Sequence, residues 1–523
     1  MISSRPVTGL LALSLLLFLS VAPAAAQRGS PRMEHGGQSI DAMIAEFMEE
    51  HGIDGMTLAI VQAPYIPRVT GYGVADAGTR LLASSNTVFD LGRMAEAYTA
   101  VAVMQLVEAG RIGLDDPLER HLGDLPATWT TVTIRHLLTH ASGIADYTRD
   151  PVYDPERSYS LAETIALVAF KPLAFEPGRD VAGSATDYAL LAAVVEAASG
   201  ESYREFVRRG QFERLGLRHT LFADEAGRLR SEAVALNGNR HRDFLVDPLL
   251  INPTERATGY RASDAGRVAA GAPPRLLDGP ILASAMDVSI WDVGLAGGIL
   301  IKDPSLRALL YRPATLADGR QVPVMGPWRY PGRPGLMYVT GNERGFSSFL
   351  SRFTDASELV CVTLLANREG VDLTQLGRRI AGAYDPRLGP PQGTAGMRLQ
   401  QSPYPVAETI ARLEAALRAV GMTVMGRVDH AAGAHAAGLA LPATEQLSFG
   451  DPKAGTLLMQ ARGAAAIDLP LRAVAWEEGG QVWLGLTDPA EIARRYEITG
   501  QERLLRAMRV RLDALALRTV TPY

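Results

Sequence analysis

The chain of 523 residues contains one cysteine and nine histidines. A single thiol cannot form an intrachain disulfide, and so few sulfur and imidazole ligands argue against a metal cluster. Positive charge is not in excess either: 52 Lys and Arg stand against 57 Asp and Glu, a net charge of -5. A nucleic-acid-binding protein ordinarily presents a basic field, so that class is set aside. Beyond the first 26 residues no apolar run is long enough to span a bilayer. What remains is 47% hydrophobic and 21% charged, the balance of an ordinary globular protein. The length exceeds one core and predicts two or three domains.

The N-terminus has an address-like composition. Arg5 precedes the apolar stretch LLALSLLLFLSVA, which ends in Pro23-Ala24-Ala25-Ala26-Gln27. A charged start, a short apolar core and an Ala-x-Ala site predict a secretory signal over residues 1–26, cleaved after Ala26. The mature protein is then expected to be secreted or periplasmic, with no membrane span. Cys361 lies in an apolar, strand-like run and is expected to be a packing residue.

Along the chain, Ile40 to Met48 has helical periodicity, and Met56 to Val61 and Val69 to Val74 read as strands. In Val88 to Ala109, VFDLGRMAEAYTAVAVMQLVEA, the apolar positions from Met94 onward fall at helical spacing, predicting a helix from about Arg93 to Ala109. Further helices are expected from near Thr133, over Leu161 to Val168, over Tyr188 to Ala198 and from Ser202 to Arg209. Gly345 to Leu350 and Leu359 to Asn367 read as antiparallel strands joined at Thr354-Asp355-Ala356, and Leu373 to Tyr384 as a closing helix. Pro386 to Gln401, with three prolines and three glycines, reads as a linker. Beyond it, Val406 to Val420 and Gln501 to Leu515 read as helices. Met422 to Val428, Glu445 to Phe449, Leu471 to Trp476 and Val482 to Leu486 read as strands.

The phrases FDLGRMAEAY, Leu114-Asp115-Asp116-Pro117 and Ile134 to His140 closely resemble the serine β-lactamase and penicillin-binding-protein family, especially its class C and D-alanyl-D-alanine carboxypeptidase branch. The resemblance covers roughly residues 38–385. It implies a two-lobed α/β (α+β) fold of the β-lactamase and transpeptidase type, with an antiparallel sheet and an inserted helical lobe. In the C-terminal part, Phe449 to Thr456, Ile467 to Leu471 and Val482-Trp483 resemble a small α+β family known only as domain of unknown function 302. This predicts a second domain over 402–520.

In the family the main helix opens with serine-x-x-lysine, the acylated nucleophile and its base. The matching residues here are Arg93 and Glu96. A guanidinium has no nucleophilic oxygen and stays protonated, and a carboxylate stands where a cationic amine is required. The tyrosine-x-asparagine motif matches Gly183-Ser184-Ala185, which removes the phenol and the amide. The third motif matches Val339-Thr340-Gly341, which loses its cation. These substitutions imply lost acyl transfer, with no catalytic residue, cofactor or metal assigned.

Three readings follow. In the first, the cleft has drifted out of use. In the second it still binds: Arg93, Glu96, Ser184, Thr340 and Gly341 are the candidate ligand-binding residues. The Arg93 fork suits a carboxylate such as the C-terminus of a peptidoglycan peptide. In the third, function lies elsewhere, either in a serine hydrolase using Ser84, Ser85 or Ser142, or in the C-terminal domain. In that domain Asp429, His430 and His435 follow a strand, where Asp429 is better explained as a helix cap. His136 and His140, four apart, lack a third metal ligand nearby.

Overall fold

Strands from the two ends of the first 385 residues meet in a single sheet. The computed structural model describes residues 33–521 apart from 63–64, 228–254, 264–265, 272–275, 332–334, 354–359, 392–393 and 395. The expected signal sequence and the turn at Thr354-Asp355-Ala356 therefore lie outside the described residues.

Helix α1 (Ile40–His51) starts where the Ser39 hydroxyl accepts from the Ala42 amide and ends at Gly52 in the left-handed region. Strands β1 (Gly55–Gln62) and β2 (Tyr65–Asp76) follow. β1 is buried at nearly every position, as its continuous apolar run requires of a strand covered on both faces. The chain then crosses into a helical lobe built from α2 (Glu96–Glu108), α3 (Ile134–Leu138), α4 (Ala185–Ser199) and α5 (Ala285–Ala296). It returns through β3 (Leu336–Glu343), β4 (Phe346–Phe353), β5 (Val360–Ala366) and α6 (Thr374–Tyr384).

The main sheet runs β3-β4-β5-β1-β2 through its centre, extended by short strands at both edges to eight in all. β5 pairs antiparallel with β1, Leu364 opposite Leu58, and this pairing joins the N-terminal and C-terminal thirds. One face packs on α1 and α6 through Leu58, Phe349 and Ile380. The other packs on the helical lobe, where Tyr98 of α2 stacks on Trp291 of α5 at 4.4 Å. This mixed fold, an antiparallel sheet with an inserted helical lobe, is the one the sequence resemblance implies.

The second unit is β6 (Met397–Ser402), α7 (Val406–Ala419), β7 (Thr423–Asp429), β8 (Thr444–Gly450), α8 (Pro452–Ala461), β9 (Leu471–Glu478), β10 (Gln481–Thr487) and α9 (Glu502–Val520). Its five-stranded antiparallel sheet has the order β6-β10-β9-β8-β7. Helices α7 and α9 supply Ile410, Leu413, Leu512 and Leu515 to its core. The linker expected over Pro386 to Gln401 is shorter than its composition suggests. Its last five residues belong to β6, whose partner β10 lies some eighty positions away, beyond the reach of local pattern.

Arg398 on β6 joins the units. It holds Asp513 of α9 through two nitrogens and Glu50 of α1 at 3.0 Å. Cys361 is buried on β5, and burial together with Asp292 pushes its thiol up to about 12. Beside it, Arg352 of β4 donates to Asp292 of α5 at 2.8 Å, with both residues buried. Removing one partner leaves the other charge buried and uncompensated. Asp292→Ala is therefore expected to lower stability by about 3–5 kcal/mol, read as a shifted urea midpoint.

Candidate functional site

The site is framed by backbone before any side chain acts. A 3-10 turn, Gly92–Ala95, precedes α2, so Arg93 lies in the turn and Glu96 is the first α-helical residue. The sequence pattern had run these together as one helix. The tighter turn leaves Arg93 and Glu96 three apart on one face, and Arg93 Nε donates to Glu96 Oε1 at 3.1 Å. Strand β3 lies flush against this turn. A Cβ on Gly341 would sit 2.0 Å from the Leu91 carbonyl oxygen, so only glycine permits the approach. Ser348 on β4 donates to the same carbonyl at 2.8 Å. Asp90 binds the Gly92 amide at 2.9 Å and accepts twice from Arg344, at 2.8 and 2.9 Å.

Inside this frame runs a line of titratable side chains in contact with one another. Glu96 Oε2 lies 3.5 Å from His140 Nε2, and His140 Nδ1 is 3.0 Å from Asp187 Oδ2. Ser142 Oγ donates to the other Asp187 oxygen at 2.6 Å. Burial alone would raise the Glu96 carboxyl, yet Arg93 and His140 together hold it below its ordinary value. Asp187 goes the other way: burial, opposed by the His140 bond, pushes it up to about 6. His140 adopts a left-handed backbone, φ 57°, which turns its ring between the two acids.

A cleft of about 370 Å³ opens above Arg93 and Glu96, lined also by Ala185, Tyr147, Tyr153, Asp278, Glu343 and Arg344. Tyr147 and Tyr153 meet edge to face at 5.3 Å. Acids surround the Arg93 guanidinium, with Asp146 at 3.6 Å and Glu343 at 3.9 Å besides Glu96. Burial raises Asp278 to about 6, assisted by the Glu96 charge, and burial also raises Glu343. The other cations of the cleft are matched to acids of their own, Arg344 to Asp90 and Arg261 to Glu369 at 3.2 Å.

Of the residues singled out in the sequence, Arg93, Glu96 and Ala185 line the cleft. Gly183 and Ser184 are buried at the start of α4, and Val339 is buried on β3 itself. Thr340 and Gly341 stand on β3 beside the turn but are not among the cleft-lining residues. Ser142 is buried and committed to Asp187, and Ser84 bonds within its own turn to Asn86 and Thr87. Ser85 lies next to Ser84 and is not among the cleft-lining residues either. His136 accepts from the Thr133 amide in a capping box, and Asp429 caps the short helix His430–Ala436. Among the described residues, one group of metal-binding side chains comes close enough to share an ion, Glu50, His51 and Asp513. Arg398 and Arg509 already neutralise its acids.

Sequence reasoning missed Asp146, Asp187, Asp278 and Glu343, which lie 50 to 250 positions from Arg93 and share no local pattern with it. Asp187 yields a test. Its folded value near 6 lies above the unfolded value of roughly 3.9, so the folded state binds the proton more tightly. The stability this confers is complete below about pH 4 and is lost as pH rises through about 6. Asp187→Asn is expected to flatten that decline in urea unfolding measured from pH 4 to 7.

Comparison with known proteins places this geometry. Residues 40–385 match the family model described as "Beta-lactamase", and residues 399–515 that described as "Domain of unknown function DUF302". The chain superposes on the octameric penicillin-binding protein homologue from Pyrococcus abyssi with 17% identity and a TM-score of 0.54, covering 86% of this chain and 99% of that one. It superposes on the D-amino acid amidase from Ochrobactrum anthropi SV3 complexed with L-phenylalanine amide with 19% identity and a TM-score of 0.52, covering 66% and 99%. These likenesses show the fold. A stretch of 157 residues is 40% identical to fluoride-specific ion channel FluC 1 of Brucella suis biovar 1 (strain 1330), covering 29% of this chain and 61% of that protein. The chain thus spans less than two thirds of that relative. No helix among the described residues is long and apolar enough to cross a membrane.

Proposed function

The match over residues 40–385 takes in more than half of the chain and makes the protein a member of the beta-lactamase family; from that premise we propose that it is a non-acylating member, an exported protein whose cleft binds a ligand without bonding to it covalently. The reading of export rests on Arg5 and the apolar stretch that ends at Ala26. One observation supports the rest: Arg93 and Glu96, which the sequence resemblance matches to a hydroxyl and a lysine, are tied to each other and through His140 to Asp187. A guanidinium offers no oxygen to carry an acyl group, and Glu96 is a carboxylate held below its ordinary value by Arg93 and His140, not an amine.

The charge balance bears on the ligand. Glu96, Asp146 and Glu343 already surround Arg93, so a carboxylate entering the cleft meets more negative charge than positive. A ligand bearing an amine fits better: Glu343 and Asp278 face the opening, and the two tyrosine rings offer a wall for the cation or an apolar side chain. The proposed ligand is therefore a small peptide or amino-acid derivative recognised by its amino group. Peptidoglycan fragments with a free amine belong to this class.

Two measurements test the reading. Incubation with benzylpenicillin or a fluorophosphonate is expected to leave the intact mass unchanged, and a stoichiometric adduct would falsify the non-acylating assignment. In calorimetric titration D-alanyl-D-alanine amide, which has an amine but no carboxylate, is expected to bind. N-acetyl-D-alanyl-D-alanine, with the opposite pattern, is not. Because a cation favours ionised acids, affinity should rise as pH passes through about 6, where Asp278 loses its proton. Glu343→Gln should weaken binding by about tenfold, whereas Arg93→Ala should not weaken it. If only the acetylated dipeptide bound, and Arg93→Ala abolished that binding, the ligand would be a carboxylate.

A further inference from the structure

The second unit carries a pocket that the cleft reading does not use. It lies between the start of β7, the turn from β8 into α8, and one face of α9, and it encloses about 500 Å³, within the range of small-molecule sites. Its wall is largely apolar, with four methionines (Met422, Met425, Met459 and Met508) beside Leu469 and Leu504. Unbranched thioether chains adapt to varied apolar shapes.

Gly455 suggests that the volume is kept open. It sits inside α8, where glycine is less stable than alanine. Its φ is not in the left-handed region, and an added Cβ would meet nothing nearer than Leu469 Cδ1 at 4.0 Å. Neither backbone nor packing requires glycine at that point; its missing side chain leaves room in the pocket. At the rim, Arg511 Nη2 donates to the Val420 carbonyl at 2.6 Å, while Nη1 stands 3.8 Å from Asp451 Oδ2, beyond hydrogen-bond distance. The other Asp451 oxygen caps α8 by accepting from the Lys453 amide at 2.9 Å.

We propose that this pocket binds an amphipathic carboxylate, with its alkyl body among the methionines and its head group on Arg511 Nη1. Arg511 is the one cation lining the pocket; among the described residues its Nη1 has a loose ion pair with Asp451 and no acceptor at hydrogen-bond distance, and the other Asp451 oxygen is committed to the helix N-terminus. An anionic head group complements it by giving Nη1 the close, charge-assisted hydrogen bond that Asp451 at 3.8 Å does not, in competition with that acid.

The test uses the full chain in calorimetric titration with dodecanoate, dodecanol and dodecyltrimethylammonium, each below its aggregation concentration. Dodecanoate is expected to bind one to one, and the other two about tenfold more weakly. Gly455→Leu fills the pocket and should abolish binding, while Gly455→Ala, with equal or higher thermal stability, shows that the helix tolerates a side chain at that position. Asp451→Asn retains the cap, removes the competing charge and should tighten dodecanoate binding. Arg511→Gln should erase the preference for dodecanoate. Equal binding of all three probes, no heat with any, or binding indifferent to Gly455→Leu would overturn the proposal. Self-association of the ligand-free chain that Gly455→Leu abolishes would also overturn it, because the occupant would then be a second copy.

Discussion

A buried two-pronged ion pair, Asp90 with Arg344, fixes the turn between β3 and β4 against the strand that leads into the 3-10 turn. Everything at the cleft depends on that clamp. It seats β3 on Leu91, aims Glu343 at Arg93, and presents Gly92 and Arg93 to the opening. A guanidinium fork on a carboxylate is directional as well as strong, so the turn has one register. The frame of the cleft is thus held by packing and charge alone.

Within that frame the charges are unevenly balanced. Arg93 and Glu96 bring one cation and one anion, and the neighbouring acids then decide the sign of the cleft. Glu96 is held ionised by Arg93 and His140, whereas Asp187 and Asp278 are pushed toward their protonated forms by burial. Carboxyl groups with values pulled apart in this way form a graded electrostatic surface. It becomes more attractive to cations as the medium turns from acid to neutral.

Much of the fold was legible in the sequence because it is encoded locally. The predicted helix over Leu161 to Val168 and the Asp429 cap follow from periodicity and a capping side chain, and both stand as read. The overlong linker failed because β6 is short and polar, and only its distant partner makes it a strand. At the site, Arg93 and Glu96 were legible as an i, i+3 pair, since their geometry needs nothing beyond one turn. Their acidic surroundings were not, because Asp146, Asp187, Asp278 and Glu343 come from four separate segments. The sequence reading of Arg93 as a carboxylate fork takes no account of those neighbours, which no local pattern reveals.

The junction between the two units is rich in contacts between charged and polar groups. Arg398 and Arg509 meet Glu50, Asp488 and Asp513, Gln400 bridges Asp372 and Gln375, and Arg378 lies over the Trp483 ring at 5.2 Å. The apolar clusters on its two sides share no residue. Since cooperativity in unfolding comes chiefly from shared apolar burial, such a junction fixes orientation while transmitting little of it. Each half can therefore lose its own order without dragging the other along, and dissolved salt becomes the solvent variable to which their mutual alignment is most exposed.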